Sequence, residues 1–136
     1  MEKLYVKLAL IYSVMAMIFG VFYREFTKFN HFTGVTNLSV IHMHYFMLGM
    51  FFFLILMLLE KNFRFSKQKN VKRDVVIYQI GLNITAATFF VRGLTQVLNP
   101  NISKAFDASI SGVAGIGHIL LGVSMVLILL KIKKSI

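Results

Sequence analysis

Between Leu38 and Leu59 the chain runs without one Asp, Glu, Lys or Arg. About 20 mostly apolar residues are what an α-helix needs to cross the hydrocarbon core of a bilayer. In lipid every backbone N–H and C=O must find its partner within the segment, so such a run is helical. Three further stretches meet the same requirement. They are Leu4–Tyr23, which carries Lys7 near its end, about Val75–Leu98, with Arg92 toward its far end, and Ile110–Leu130. The expected fold is therefore all-α. It is a polytopic membrane protein with four transmembrane helices, forming one domain over residues 1–136. The chain is 57% hydrophobic, and a soluble domain of this length needs more polar surface. Leu4–Tyr23 is too long for the apolar region of a signal peptide, and no small-residue cleavage site precedes Arg24, so it is read as a helix.

Fifteen Lys and Arg stand against five Asp and Glu, for a net charge of +10. The cations are not spread evenly. Lys3, Lys7, Lys61, Arg64, Lys67, Lys69, Lys72, Arg73, Lys131, Lys133 and Lys134 fall on one side of the four spans. Only Arg24, Lys28, Arg92 and Lys104 fall on the other. The positive-inside rule then places both termini and the loop Glu60–Asp74 in the cytoplasm. The loops Arg24–Asn37 and Asn99–Ser109 face outward, and the protein is a multi-pass protein of the plasma membrane. This asymmetry accounts for the charge as a topology signal and gives no reason to expect a nucleic-acid partner. Contact with anionic headgroups is a secondary consequence, worth about 1 kcal/mol per charge. Asp74 is expected to cap the third helix, where its charge suits the N-terminal dipole. Asn99-Pro100-Asn101 is expected to end that helix, since Pro cannot continue one. There is no Cys, which excludes disulfides, thiolate metal sites, a cysteine nucleophile and covalent c-type haem.

The two hairpins resemble each other. Phe22-Tyr23-Arg24-Glu25-Phe26-Thr27 ends the first helix, and Phe90-Val91-Arg92-Gly93-Leu94-Thr95 ends the third. Each leads through an outer loop to a helix with a His in its outer half and a Gly shortly after: His44 with Gly49, His118 with Gly122. Both hairpins run in the same sense, so the expectation is a parallel repeat. Chance similarity between apolar segments is the competing account.

Four histidines are present. His31 lies in an outer loop and reads as a surface residue. The other three fall within spans, where polar groups are expensive and usually functional. At 1.5 Å per residue, His42 and His44 lie roughly 6–10 Å below the outer boundary and His118 roughly 12–15 Å. Each imidazole can simply bond a carbonyl or hydroxyl and join helices. Two details point instead to ligation. His118 sits in a stripe of mostly small residues: Ser111, Gly115, His118, Gly122 and Met125. With Gly one turn to either side, a flat macrocycle can lie against that face, although close helix packing explains such a stripe equally well. His42 and His44, two residues apart, point to opposite sides of their helix. They cannot share one metal, but they can serve two sites.

The run His42-Met43-His44-Tyr45, followed by Gly49 and aromatics, resembles the His-x-His helix of subunit I of haem–copper oxidases. There the two histidines bind two haems from opposite faces of one helix. Gly117-His118 through Met125 is more loosely similar to that family's other low-spin haem helix. The chain is similar to small four-helix bacterial membrane proteins related to that subunit. The resemblance implies a non-covalent b haem with His44 and His118 as axial ligands, and a second pocket at His42. It also implies a homo-oligomer, a trimer by analogy with the threefold layout of subunit I, with haem ligands drawn from neighbouring subunits. The histidines that hold copper in that family have no counterpart, so an oxygen-reducing binuclear centre is not expected.

Arg24 and Arg92 lie at the outer ends of the first and third helices, at a level suited to haem propionates; a guanidinium matches a carboxylate well. The alternative for both is snorkelling to the interface, with Arg24 paired to Glu25. Tyr78, Gly81, Thr85, Thr88 and Arg92 form a stripe read as the bundle-facing side of the third helix. Three functions stay open. One is a b-type haem protein for electron transfer or small-gas handling, with a redox partner. The second is a Cu(I)-handling protein, for which Met43 and Met47 beside His42 offer soft ligands. The third is a structural or assembly subunit without a cofactor. No acid lies inside a span to couple ions, and no nucleophile constellation exists for hydrolysis.

Overall fold

Each apolar stretch is one long helix in the computed structural model, which describes residues 1–98 and 101–136. The helices are α1 (Glu2–Phe29), α2 (Leu38–Phe63), α3 (Val71–Leu98) and α4 (Lys104–Lys133). All four are long and apolar enough to cross a membrane. They overrun the expected spans because an apolar run stops where the headgroups begin, while backbone hydrogen bonding continues through polar residues. Twenty-eight residues rise about 42 Å, well beyond a hydrocarbon core of about 30 Å. Thus α1 continues past Arg24 to Phe29. Helix α4 begins at Lys104, capped by Ser103, whose Oγ accepts from Phe106 N at 3.2 Å. Asn99 and Pro100, expected to stop α3, lie outside the described residues.

The helices follow one another, α1 packing on α2, α2 on α3, and α3 on α4, and α1 also reaches α3 through Phe19 and Phe22, whose rings lie against Phe90. The buried face of α1 carries Tyr5, Leu8, Ala9, Tyr12 and Ala16, at the three- and four-residue spacing of one helix face. Tyr12 lies against Gly49 of α2, where an added Cβ would stand 2.6 Å from the Tyr12 ring. Gly49 belongs to a π-helical segment, Tyr45–Phe51, in the middle of α2. A π turn disturbs the regular carbonyl ladder, and Leu48 O there accepts from Tyr78 Oη of α3 at 2.6 Å. The ring of Tyr78 also stacks on Phe52, with centroids 4.3 Å apart.

Helix α4 is held to α3 at three levels. In the middle, Gly81 and Gly117 bring the backbones together. A Cβ on Gly81 would fall 2.5 Å from Leu121 N, and one on Gly117 would fall 2.8 Å from Thr85 Oγ1. Without a hydrophobic drive between helices in lipid, such small residues are what permits close packing. At one end Asp74, fully buried, pairs with Lys131 of α4 and with Arg73 at 3.1 Å. At the other end Arg92 Nη2 donates to Asp107 Oδ1 and Ser111 Oγ, both at 2.8 Å. Asp74 lies in the first turn of α3, where its charge suits the dipole as expected, but the helix begins three residues earlier, at Val71, so Asp74 is not its cap and its carboxylate also holds α4. Tyr78, Gly81, Thr85 and Thr88 are buried, as the stripe on α3 predicts.

The loops are tied down as well. Thr36 Oγ1 donates to Gly93 O at 3.0 Å, and Gln96 bonds Asn37 twice, at 2.7 and 3.1 Å. Both termini lie at the end that carries the 64–70 loop. There Phe65 is fully buried and stacks on Tyr5, with centroids 6.0 Å apart, and Gln68 Nε2 donates to Lys131 O at 2.7 Å.

Candidate histidine face

His44 and His118 meet the same local arrangement. His44 Nδ1 lies 2.9 Å from Val40 O, and His118 Nδ1 lies 2.8 Å from Ala114 O. A carbonyl only accepts, so in each neutral ring the proton sits on Nδ1. Nε2, on the far edge of the ring, keeps its lone pair, and this orienting bond is the one metal-ligating histidines typically make. Both imidazoles then stand edge-on to Phe89 of α3. The ring centroids are 4.9 Å apart for His44 and 5.8 Å for His118. Helix α3 lies between α2 and α4, and Phe89 is the side chain it sets between the two histidines.

The face around His118 is uncovered. No atom lies within 4 Å of the place a Cβ would take on Gly112, Gly115 or Gly122. Close packing within the chain therefore does not explain Gly115 and Gly122; Gly81 and Gly117 do that work on the other side of the same interface. His118, Gly122, Val123 and Val126 line an open depression of about 420 Å³. At the His44 end a smaller one, about 170 Å³, is lined by Met43, His44, Met47 and Leu48. The two methionines thus border His44 and not His42, beside which the sequence pattern set them.

His42 points the other way, toward α1. A Cβ on Gly20 would meet its side chain at 3.7 Å, and His42 Nδ1 is buried without a partner. The opposite orientation of the two histidines follows from their spacing. His31 is exposed in the loop between α1 and α2 with φ 49°.

The two arginines differ. Arg24 is exposed and reaches only Glu25, at 3.8 Å. Arg92 turns onto α4 at Ser111, which stands two turns from His118 on the same face, about 10 Å along the axis. Its Nε is buried with no partner. Asp107 as the partner of Arg92 was not foreseen, because it lay in the stretch read as loop.

A polar cluster also escaped the sequence reading. Asn83, in the middle of α3, accepts from Tyr45 Oη at 3.1 Å and donates to Tyr12 Oη at 3.0 Å. It links three helices, and its signal was an amide at membrane depth.

Among the described residues no three His, Cys, Asp or Glu side chains gather where they could hold a metal ion. No curated protein and no solved structure matches the chain. A family model described as protein of unknown function (DUF2871) matches residues 1–135, and the chain belongs to that family.

Proposed function

We propose that the chain is a b-type haem-binding protein of the plasma membrane, resembling a minimal haem–copper oxidase subunit I and serving electron transfer or small-gas handling. One observation carries the reading. Two intramembrane imidazoles, His44 and His118, have Nδ1 bound to the preceding turn and Nε2 left as a ligand. In lipid a bare Nε2 lacks the partner it would find in water, and a metal supplies one. His118 stands between Gly115 and Gly122, whose missing side chains leave a flat surface. Arg92 of α3, bound to Ser111 two turns from His118 on α4, puts a guanidinium at a level that suits a propionate. Arg24 serves only the membrane interface.

Phe89 occupies the space between His44 and His118 within one chain. The two histidines therefore serve one iron across neighbouring copies, His118 of one facing His44 of the next. This fits a homo-oligomer, for which the trimer of the resemblance is the natural form. Bound there, haem supplies a one-electron iron couple, and two imidazole ligands suit electron transfer. The protein's part is to orient both rings, exclude water and neutralise the propionates. The basic end of the molecule faces the cytoplasm.

The test is the visible spectrum of the purified protein supplied with haem, oxidised and then reduced with dithionite. A sharp Soret band and a reduced α band typical of b haem are expected, both lost in His118→Ala. A protein that stays colourless in excess haem would sink the reading and leave an assembly subunit without cofactor.

Met43, His44 and Met47 around one depression favour a second reading, Cu(I) binding by two thioethers and an imidazole. Competition with a Cu(I) chelator decides it: Met43→Leu should weaken copper uptake and leave the haem spectrum unchanged.

A further inference from the structure

Residues 61–73, the loop 64–70 with the helix ends on either side of it, carry six cations, Lys61, Arg64, Lys67, Lys69, Lys72 and Arg73, and all six are exposed. Three acids lie at the same end of the molecule, and two of them are turned inward. Asp74 is fully buried against Lys131 and Arg73. Glu60 is 7% exposed, and its carboxylate accepts from Ser66 N at 3.0 Å and from Ser66 Oγ. Only Glu2 remains on the surface. The loop does not trail into solvent. Phe65 anchors it on Tyr5, Gln68 bonds Lys131 O and Ser135 Oγ, and Arg64 and Asn70 turn it with φ of 49° and 69°. Seven residues, 64–70, separate α2 from α3, so the cations stay within a turn or two of the helix ends. The bond from Gln68 brings the loop beside exposed Lys133 and Lys134.

We infer that this end of the molecule is a preformed binding surface for anionic phospholipid headgroups, centred on Lys67, Lys69 and Lys72 with Lys133 and Lys134. Three features argue for lipid. The charge is of one sign because the acids are sequestered by the fold. The buried Phe65 and the bond from Gln68 hold the cations close to the helix ends. A short anchored loop gives a soluble partner little to grasp, while a lipid phosphate reaches it from the side.

The test uses the full chain in detergent, titrated with phosphatidylglycerol or phosphatidylcholine and read by native mass spectrometry. Phosphatidylglycerol should be retained in preference, and the preference should fall as salt rises. The variant Lys67→Gln/Lys69→Gln/Lys72→Gln should lose at least about tenfold in phosphatidylglycerol affinity, each charge near an anionic headgroup counting for several-fold. Lys28→Gln/Lys104→Gln, which removes two charges at the other end, should keep the preference and shows whether the position of the charge matters. Equal uptake of the two lipids by the unaltered chain would overturn the inference. So would an undiminished preference in the triple variant that still melts as the unaltered chain does. Binding of polyglutamate by the unaltered chain, without lipid preference, would assign the surface to an acidic soluble partner instead.

Discussion

His44 and His118 make one bond twice: each imidazole places Nδ1 under 3 Å from the carbonyl four residues back, at 2.9 and 2.8 Å, on either side of Phe89. The glycines that follow them do not match in surroundings: Gly49 is pressed against Tyr12, and Gly122 meets nothing.

If the two imidazoles ligate one haem between copies, mixed oligomers can rescue single variants. His44→Ala and His118→Ala should each bring the bis-histidine absorption to near zero. Co-expressed with distinct tags and purified as mixed oligomers, they should recover part of it. No recovery in oligomers shown to contain both chains would place both ligands in one chain.

The two classes of glycine on α4 should respond in opposite ways. Gly115→Ala adds a Cβ in open space and should stabilise the apo protein by up to about 1 kcal/mol through helix propensity. Gly117→Ala drives a methyl into Thr85 and should cost roughly 1–3 kcal/mol. Thermal melts in detergent compare them. Gly115→Phe should leave the melt intact and abolish haem uptake.

The Asp74–Lys131 pair is expected to matter far more than a surface bridge. Asp74→Ala leaves Lys131 uncompensated in a largely buried position and should cost roughly 3 kcal/mol. Asp74→Ala/Lys131→Met should recover a large part of that loss. A double-mutant cycle on the melting curves measures the coupling, and additive losses would refute it.

Asn83→Leu removes the amide that joins Tyr12 and Tyr45. Two tyrosine hydroxyls then lose partners in the membrane interior, for a cost of about 1–3 kcal/mol. Tyr12→Phe/Asn83→Leu/Tyr45→Phe, with no hydroxyl left to satisfy, should be closer in stability to the unaltered chain than Asn83→Leu alone.

The sequence by itself determined the four helices, because a bilayer admits no other arrangement for apolar runs of that length. It determined the end at which the cations gather and the opposite aim of His42 and His44, since both follow from linear order and helical period. Helix ends were less legible, because backbone hydrogen bonding continues past the point where hydropathy falls. Only the tertiary structure decided the rest. It chose Gly81 and Gly117 for packing over Gly115 and Gly122. It turned Asp74 inward to Lys131 and gave Arg92 to Asp107. It also set Phe89 between the two histidines. Each depends on which face of a helix meets which neighbour. In lipid that choice is made by the fit of small and polar groups between helices, and apolar periodicity does not record it.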